Sequence, residues 1–293
     1  MPMKVKVVTD STSYVPRDAR HELDIGVVGL SSMLEGVTYS DDAEDYGPFF
    51  RALAGTKQFP TTSQPSVQDL VDAFEGPVSG GEDVVGVFIS AEMSGTLATA
   101  LLARDMVIER HPDATIEVVD GRSNSMELGY AAIAAAREAA AGSAVERVVE
   151  AAHAMMERTR FLFVPDTLEY LKRGGRIGGA SALIGSLLQV RPILTVVDGT
   201  TDVFAKVRTK SRAIDELVAA FVADVDSKGG LREVVVHHID DEAAGVALAE
   251  RLSETAGREV HVTPIGPAIG AHVGPGAVGV VYATSEPMEK GRR

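Results

Sequence analysis

The sequence predicts an α/β protein in two domains, the first a mostly parallel sheet with flanking helices and the second a mixed α/β domain. Three observations carry this. Short apolar runs ("KVKVVTD", "DVVGVFIS", "TIEVVD") alternate with helix-period segments through the first half, the pattern of a parallel sheet covered on both faces. The second half adds a hairpin signal, Asp198-Gly199, between two strand-like runs. The length of 293 residues suits two modest domains.

Taken in order, "KVKVVTD" is a first strand ending at Asp10, and the polar turn "STSYVPRD" follows it. The apolar stretch "DIGVVGL" leads into "EGVTYSD", and residues 43–54 read as a helix. Then comes "FPTTSQPS", Phe59 to Ser66, with four hydroxyls, one amide and a proline near each end. That composition fits a solvated linker as well as polar groups gathered for a ligand. In "SVQDLVDAFE" the residues Val67, Leu70, Val71 and Phe74 share one helical face. Ser66 stands at the N-cap, with Asp69 three residues on as a short-chain capping box. "DVVGVFIS" is a buried strand, the segment from Ala91 passes from loop to helix, and "TIEVVD" is another strand, before the Ala-rich helix of residues 126–141.

In a parallel sheet, ligands gather beyond the carboxyl ends of the strands. The alternation therefore puts Asp10–Thr12, Ser90–Thr96 and Asp120–Ser125 on one edge. Gly142 and Ser143 break the helix before a second one over residues 144–160. "FLFVP" is a strand, and in "DTLEYLKRGGRIGG" Asp166 is a capping candidate while the paired glycines stop the helix. The hairpin follows, then helix 211–225, strand 233–239, helix 241–256 and strand 259–264. The expected domains are 1–157 and 158–285, with 286–293 a frayed tail. No flexible linker marks the boundary.

Composition narrows the function. Hydrophobic residues make up 45% and charged residues 24%, so the chain can bury a sizeable core. A net charge of -14 argues against a nucleic-acid partner and against stable attachment to an anionic membrane surface. The absence of cysteine removes disulfides, thiolate catalysis and Cys-based zinc sites. The start has no signal-peptide core and no apolar run reaches 18 residues, so a cytoplasmic location is expected.

No GxxxxGK[ST] loop, HExxH pair or GxSxG elbow occurs, and neither a cofactor nor a metal site is expected. His237 and His238 are adjacent in a strand and point to opposite faces, which weakens them as a shared metal site. In Ser90–Thr96, Thr96 can cap the next helix while Ser94 completes the turn; alternatively these hydroxyls and free amides receive an anion. Arg173 and Arg176 flank a glycine pair, placed either for surface ion pairs or to aim guanidiniums at a carboxylate or phosphate. "GPAIGAHVGPG" holds His272, either a loop histidine or a group that donates to an anion or titrates near neutrality. Hydroxyls, arginines and one histidine without a nucleophile–base pair suit an acid-group receptor better than an enzyme.

Five blocks in this order, "TDST", "TSQPS", "SGT", "YLKRGGRI" with a later "DG", and "HVGPG", resemble the DegV family of bacterial fatty-acid-binding proteins, especially the acyl-binding subunit of fatty acid kinase. The resemblance runs from Val7 to Gly279. It implies two α/β domains with the acyl chain between them, and Thr62, Ser63, Ser94 and Gly95 at the fatty-acid carboxylate. It implies Arg173 and His272, with Arg176 ranked below Arg173, at the head group or in presentation to a kinase. The implied function is non-enzymatic: binding a long-chain fatty acid and presenting its carboxylate to a separate ATP-dependent kinase for acyl-phosphate formation, a step in phospholipid synthesis. Two alternatives stand beside it, a lipid carrier without a kinase partner and a serine hydrolase using Ser94. The sequence departs from the family pattern at Leu97-Ala98 after "SGT", at Gly121 after Asp120 and at Ala271 before His272.

Overall fold

The computed structural model describes residues 4–183 and 190–289. They form two compact units. The first holds the chain up to Ser31, Ser40–Asp42 and Thr62–Met156; the second holds Ser32–Tyr39, Ala43–Thr61 and the chain from Glu157. The excursion of residues 32–39 and 43–61 into the second unit has no composition shift to announce it.

From the N-terminus, β1 (Val5–Asp10) runs into a single 3-10 turn, then α1 (Arg17–Glu22) and β2 (Gly26–Val28). A hairpin of β3 (Ser31–Leu34) and β4 (Val37–Ser40) follows. Its two turn residues, Glu35 and Gly36, both have positive φ, at 51° and 80°, which matches the twist of the flanking strands. Next come α2 (Gly47–Gly55) and β5 (Thr61–Ser63). Helix α2 starts later than the sequence suggests because Pro48 occupies its first turn, where a missing N–H costs nothing. The centre of the hydroxyl-rich octet forms β5, in a small sheet of order β4-β3-β5.

Helix α3 (Val67–Ser79) begins with the expected capping box, the Asp69 amide donating to Ser66 Oγ at 3.1 Å and the Ser66 amide donating to the Asp69 carboxylate at 3.1 Å. Then β6 (Asp83–Phe88), α4 (Thr96–Arg110), β7 (Ile116–Asp120), α5 (Ser125–Ala140) and α6 (Val145–Arg158) complete the alternation. The sheet of the first unit has order β2-β1-β6-β7, and every pairing in it is parallel. All six residues of β6 are buried, as they must be with helices on both faces. Leu70, Phe74, Phe88, Ala100, Ala103 and Val107 form the core beneath α3 and α4, where the alanines let the helices close on the sheet.

In the second unit, β8 (Thr159–Val164) leads through α7 (Glu169–Arg173) to β9 (Arg191–Val197) and β10 (Thr200–Val207). Asp198 and Gly199 turn that hairpin with φ of 49° and 81°. Helix α8 (Lys210–Ser227), β11 (Leu231–His238), α9 (Glu242–Ala256), β12 (Val262–Pro264), α10 (Pro267–Val273) and β13 (Val278–Thr284) follow. The sheet order is β10-β9-β8-β13-β11-β12, antiparallel except for the β11–β12 pair. This is the mixed arrangement the sequence predicts. Strand β13, all seven residues buried, packs Val280 and Tyr282 into a core with Leu162, Leu217 and Phe221. Arg160 is buried against Asp224 at 2.7 Å, and Tyr282 donates to the same carboxylate at 2.6 Å, so the buried charges are satisfied. The tail is pinned through Glu289: Met288 is buried, its amide donates to Glu157 O, and Arg160 holds Glu289 O. That differs from the fraying expected from Glu286, because an apolar side chain and a buried arginine wait for those residues.

Candidate functional site

The first unit builds its polar loops at the carboxyl edge of the parallel sheet. The register pairs Thr9 with Val87 and Phe88 with Asp120, so β1, β6 and β7 end together. Two carboxylates there hold the loop between β6 and α4. Asp10 Oδ2 accepts the Ile89 amide at 2.7 Å, and Asp120 Oδ1 accepts the Ala91 amide at 3.3 Å. The Ser90 amide donates to Ser123 O, and the amides of Met93 and Ser94 donate to Ser90 O. Asp10 is fully buried and also takes the amide and hydroxyl of Thr12. Burial raises its pKa to about 6 against the pull of those hydrogen bonds, so it is ionised at neutral pH and receives donors on both oxygens.

The loop delivers Ser94, half-buried, to the start of α4. Ser94 Oγ accepts the Thr96 amide at 3.3 Å and lies 2.9 Å from Thr96 Oγ1. Thr96 is therefore not the cap; Gly95 is the N-cap residue and offers no side chain, so the first turn depends on Ser94. The two hydroxyl blocks meet through Gln64. A β-carbon on Gly95 would lie 2.1 Å from Gln64 Oε1, and Gln64 Nε2 donates to Thr99 Oγ1. Thr62 is half-buried in β5 and Ser63 beside it is exposed. The close approach that Gly95 permits is thus filled by Gln64, whose place beside Gly95 has no local signal in the "TSQPS" block.

The second unit assembles the basic helix and the His-Gly-Pro-Gly loop. Asp166 does not cap α7; Thr167 Oγ1 takes the Glu169 amide at 3.1 Å, while Asp166 lies 3.8 Å from Lys210. The glycines let the loop seat on α7. A β-carbon on Gly174 would lie 2.2 Å from His272 Nδ1; one on Gly274, whose φ is 88°, would lie 2.3 Å from the Tyr170 ring. Gly276 faces Asp166, and its carbonyl accepts from Lys210 Nζ at 3.0 Å. His272 lies on α10, a short helix the glycine content concealed. Burial and the neighbouring Arg176 guanidinium lower its pKa to about 4, so it does not titrate near neutrality; it is a neutral imidazole with one donor and one acceptor nitrogen. Arg176 itself turns back to Gly174 O at 2.6 Å.

Arg173 stacks on Phe59, 4.8 Å from the ring centroid, and Tyr170 packs on the same ring at 5.7 Å. These residues, with Lys57 and Glu169 among others, line a pocket of about 360 Å³ within the second unit. Neither cation has a carboxylate partner among the described residues. Among the described residues, Ser94 Oγ has its hydrogen bonds to the hydroxyl and amide of Thr96, not to an imidazole or a carboxylate. No group of three or more His, Asp or Glu among them could hold a metal ion, and no helix is long and apolar enough to cross a membrane.

Fold and loops together define a class: two-unit α/β proteins with hydroxyls at the edge of a parallel sheet and a His-x-Gly-Pro-Gly loop on a mixed one. Residues 4–285 match the profile described as "Uncharacterised protein, DegV family", and the chain belongs to that family. It is 48% identical over 292 residues to a DegV domain-containing protein of Clostridium acetobutylicum, covering 98% of this chain and all of the relative. The structure is similar to that of a fatty-acid-binding DegV family protein from Thermus thermophilus, with a TM-score of 0.86, 30% identity, and 96% and 100% of the two chains covered. DegV of Bacillus subtilis, described as a fatty acid binding protein, is similar at a TM-score of 0.85 and 31% identity, with 97% and 100% covered.

Proposed function

We propose that this chain binds a long-chain fatty acid and presents its carboxylate to a separate ATP-dependent kinase, which forms the acyl phosphate. Thr62, Ser63, Ser94 and Gly95 receive the carboxylate. Arg173 and His272, with Arg176 behind them, serve the head group or the approach of the kinase. The observation that carries the reading is the seating of Gln64 on Gly95, which joins the two hydroxyl blocks at the start of a fifteen-residue helix. Donors at a helix N-terminus suit an anion, and a carboxylate kept from water needs several such bonds to stay ionised. The tail supplies most of the affinity, at about 0.8 kcal/mol per buried methylene, and the head sets polarity. The fatty-acid descriptions of the solved relatives support the ligand class. The neutral state of His272 supports a hydrogen-bonding role over that of a fixed cation.

Native mass spectrometry of protein made in a bacterial host tests the ligand. The expected result is a co-purified mass of a long-chain fatty acid, lost on organic extraction; an empty protein or a non-lipid ligand overturns the proposal. Incubation with ATP and fatty acid, with and without a cognate kinase subunit, tests the presentation role. Acyl phosphate is expected only with both proteins. Product from this chain alone would refute the non-enzymatic reading, and tight lipid binding without support of any kinase would leave a carrier.

A further inference from the structure

Thr96 is buried, and among the described residues its hydroxyl has one partner, Ser94 Oγ at 2.9 Å. The heavy atoms alone allow either hydroxyl to donate, yet the two directions are not equivalent. If Ser94 donates, the Thr96 proton is left buried with no acceptor, a costly arrangement. If Thr96 donates, its proton is satisfied, and Ser94 Oγ accepts from both the hydroxyl and the amide of Thr96. With its acceptor side filled, Ser94 turns its own proton outward, and Ser94 is only half-buried. From this geometry we infer that Thr96 is a positioning residue that fixes the Ser94 hydroxyl as a donor toward an acidic ligand group. The inference rests on the reading of Ser94 as a carboxylate-binding residue and adds why that hydroxyl is held with its proton free.

Because Thr96 acts through Ser94, the two residues are coupled in a defined way. Removing the Thr96 hydroxyl frees Ser94 to rotate and spend its proton elsewhere, while removing Ser94 leaves Thr96 nothing to orient. Palmitate titration of Thr96→Val, Thr96→Ser, Ser94→Ala and the Ser94→Ala/Thr96→Val double variant tests this, with circular dichroism melts to confirm folding. Thr96→Val is expected to bind about 5-fold more weakly, the loss of about one net hydrogen bond. Thr96→Ser, which keeps the hydroxyl, is expected to restore most of that loss. The double variant is expected to bind no more weakly than Ser94→Ala alone. Parent-like affinity in Thr96→Val beside a weakened Ser94→Ala, or additive losses in the double variant, overturns the inference. Parent-like affinity in Ser94→Ala overturns the underlying site reading instead. Should Thr96→Val fail to fold, Thr96→Ala carries the same comparison.

Discussion

Gln64 occupies the space where a side chain on Gly95 would have to be: a β-carbon there would meet its Oε1 at 2.1 Å. Gln64 is the flexible end of a side chain, but its Nε2 is committed to Thr99. Gly95 has φ of -73°, so alanine suffers no backbone strain and the collision is the whole effect. Gly95→Ala is expected to break the Gln64–Thr99 bond and cost about 1 kcal/mol, measured by urea denaturation. Fatty-acid affinity should fall as β5 and the Ser94 loop separate. Gln64→Ala combined with Gly95→Ala should restore stability relative to Gly95→Ala but not affinity. A Gly95→Ala protein with unaltered stability and affinity would show that the contact organises nothing.

The glycines around His272 make a graded set. Gly274 combines φ of 88° with the Tyr170 ring 2.3 Å from its added β-carbon, whereas Gly174 has ordinary φ and faces only the imidazole and, at 3.1 Å, Tyr170 O. Gly274→Ala is therefore expected to cost about 1–3 kcal/mol through strain and displacement of the ring. Gly174→Ala should cost less and act mainly by moving His272. Urea midpoints rank the two, and equal losses would contradict the ranking.

Stability should depend on pH with opposing contributions. The folded pKa of His272 is about 4 against 6.5 unfolded, so between those values the unfolded chain binds the extra proton and stability falls as pH falls. His237, also held to about 4 by burial, has the same sign. Asp10 has a folded pKa of about 6 against 3.8; there the folded chain holds the proton, and stability is lost as pH rises through that window. His272→Gln should remove about one proton from the slope between pH 4 and 6.5, worth up to about 3 kcal/mol over the window. Asp10→Asn should steepen the decline toward acid. Urea titrations across that range give both slopes, and unchanged slopes would place either group in water.

Periodicity made the covered parallel sheet legible, because each of its strands is a short apolar run followed by an amphipathic helix. The capping box at Ser66 and the Asp198-Gly199 turn were equally legible, since both are local chemistry. Helices α1 and α10 were not, because six or seven residues give too little period, and glycine and proline disguise the second. The central strand β13 is a buried run, "VGVVYAT", but it follows directly on a glycine-rich loop and carries a glycine of its own, which masks its start in the sequence. At the candidate site, residue types were visible but partners were not. Nothing local says that Gln64 meets Gly95 or that Phe59 lies under Arg173, because tertiary structure makes those pairs.

The Phe59–Arg173 pair separates binding from presentation. Arg173 lies at the end of α7, exposed, with its guanidinium held over the Phe59 ring and no carboxylate partner among the described residues. A guanidinium stacked in this way keeps its edge N–H groups directed at solvent and loses little freedom when it meets an anion. At an exposed site the stack itself contributes only about 0.5–1 kcal/mol. Phe59→Leu keeps apolar bulk and removes the aromatic face, so Arg173 remains charged but loses its fixed direction. If Arg173 serves presentation to a kinase, Arg173→Ala should lower kinase-dependent acyl-phosphate formation at least 10-fold, about 1.4 kcal/mol in the barrier. Phe59→Leu should give a smaller loss in the same assay, and the double variant should match Arg173→Ala. Palmitate affinity should change little in all three. Fatty-acid titration beside the coupled phosphorylation assay reads both quantities. Equal losses of affinity and turnover would make Arg173 a ligand-binding residue, and normal turnover in Arg173→Ala would return the stack to surface packing.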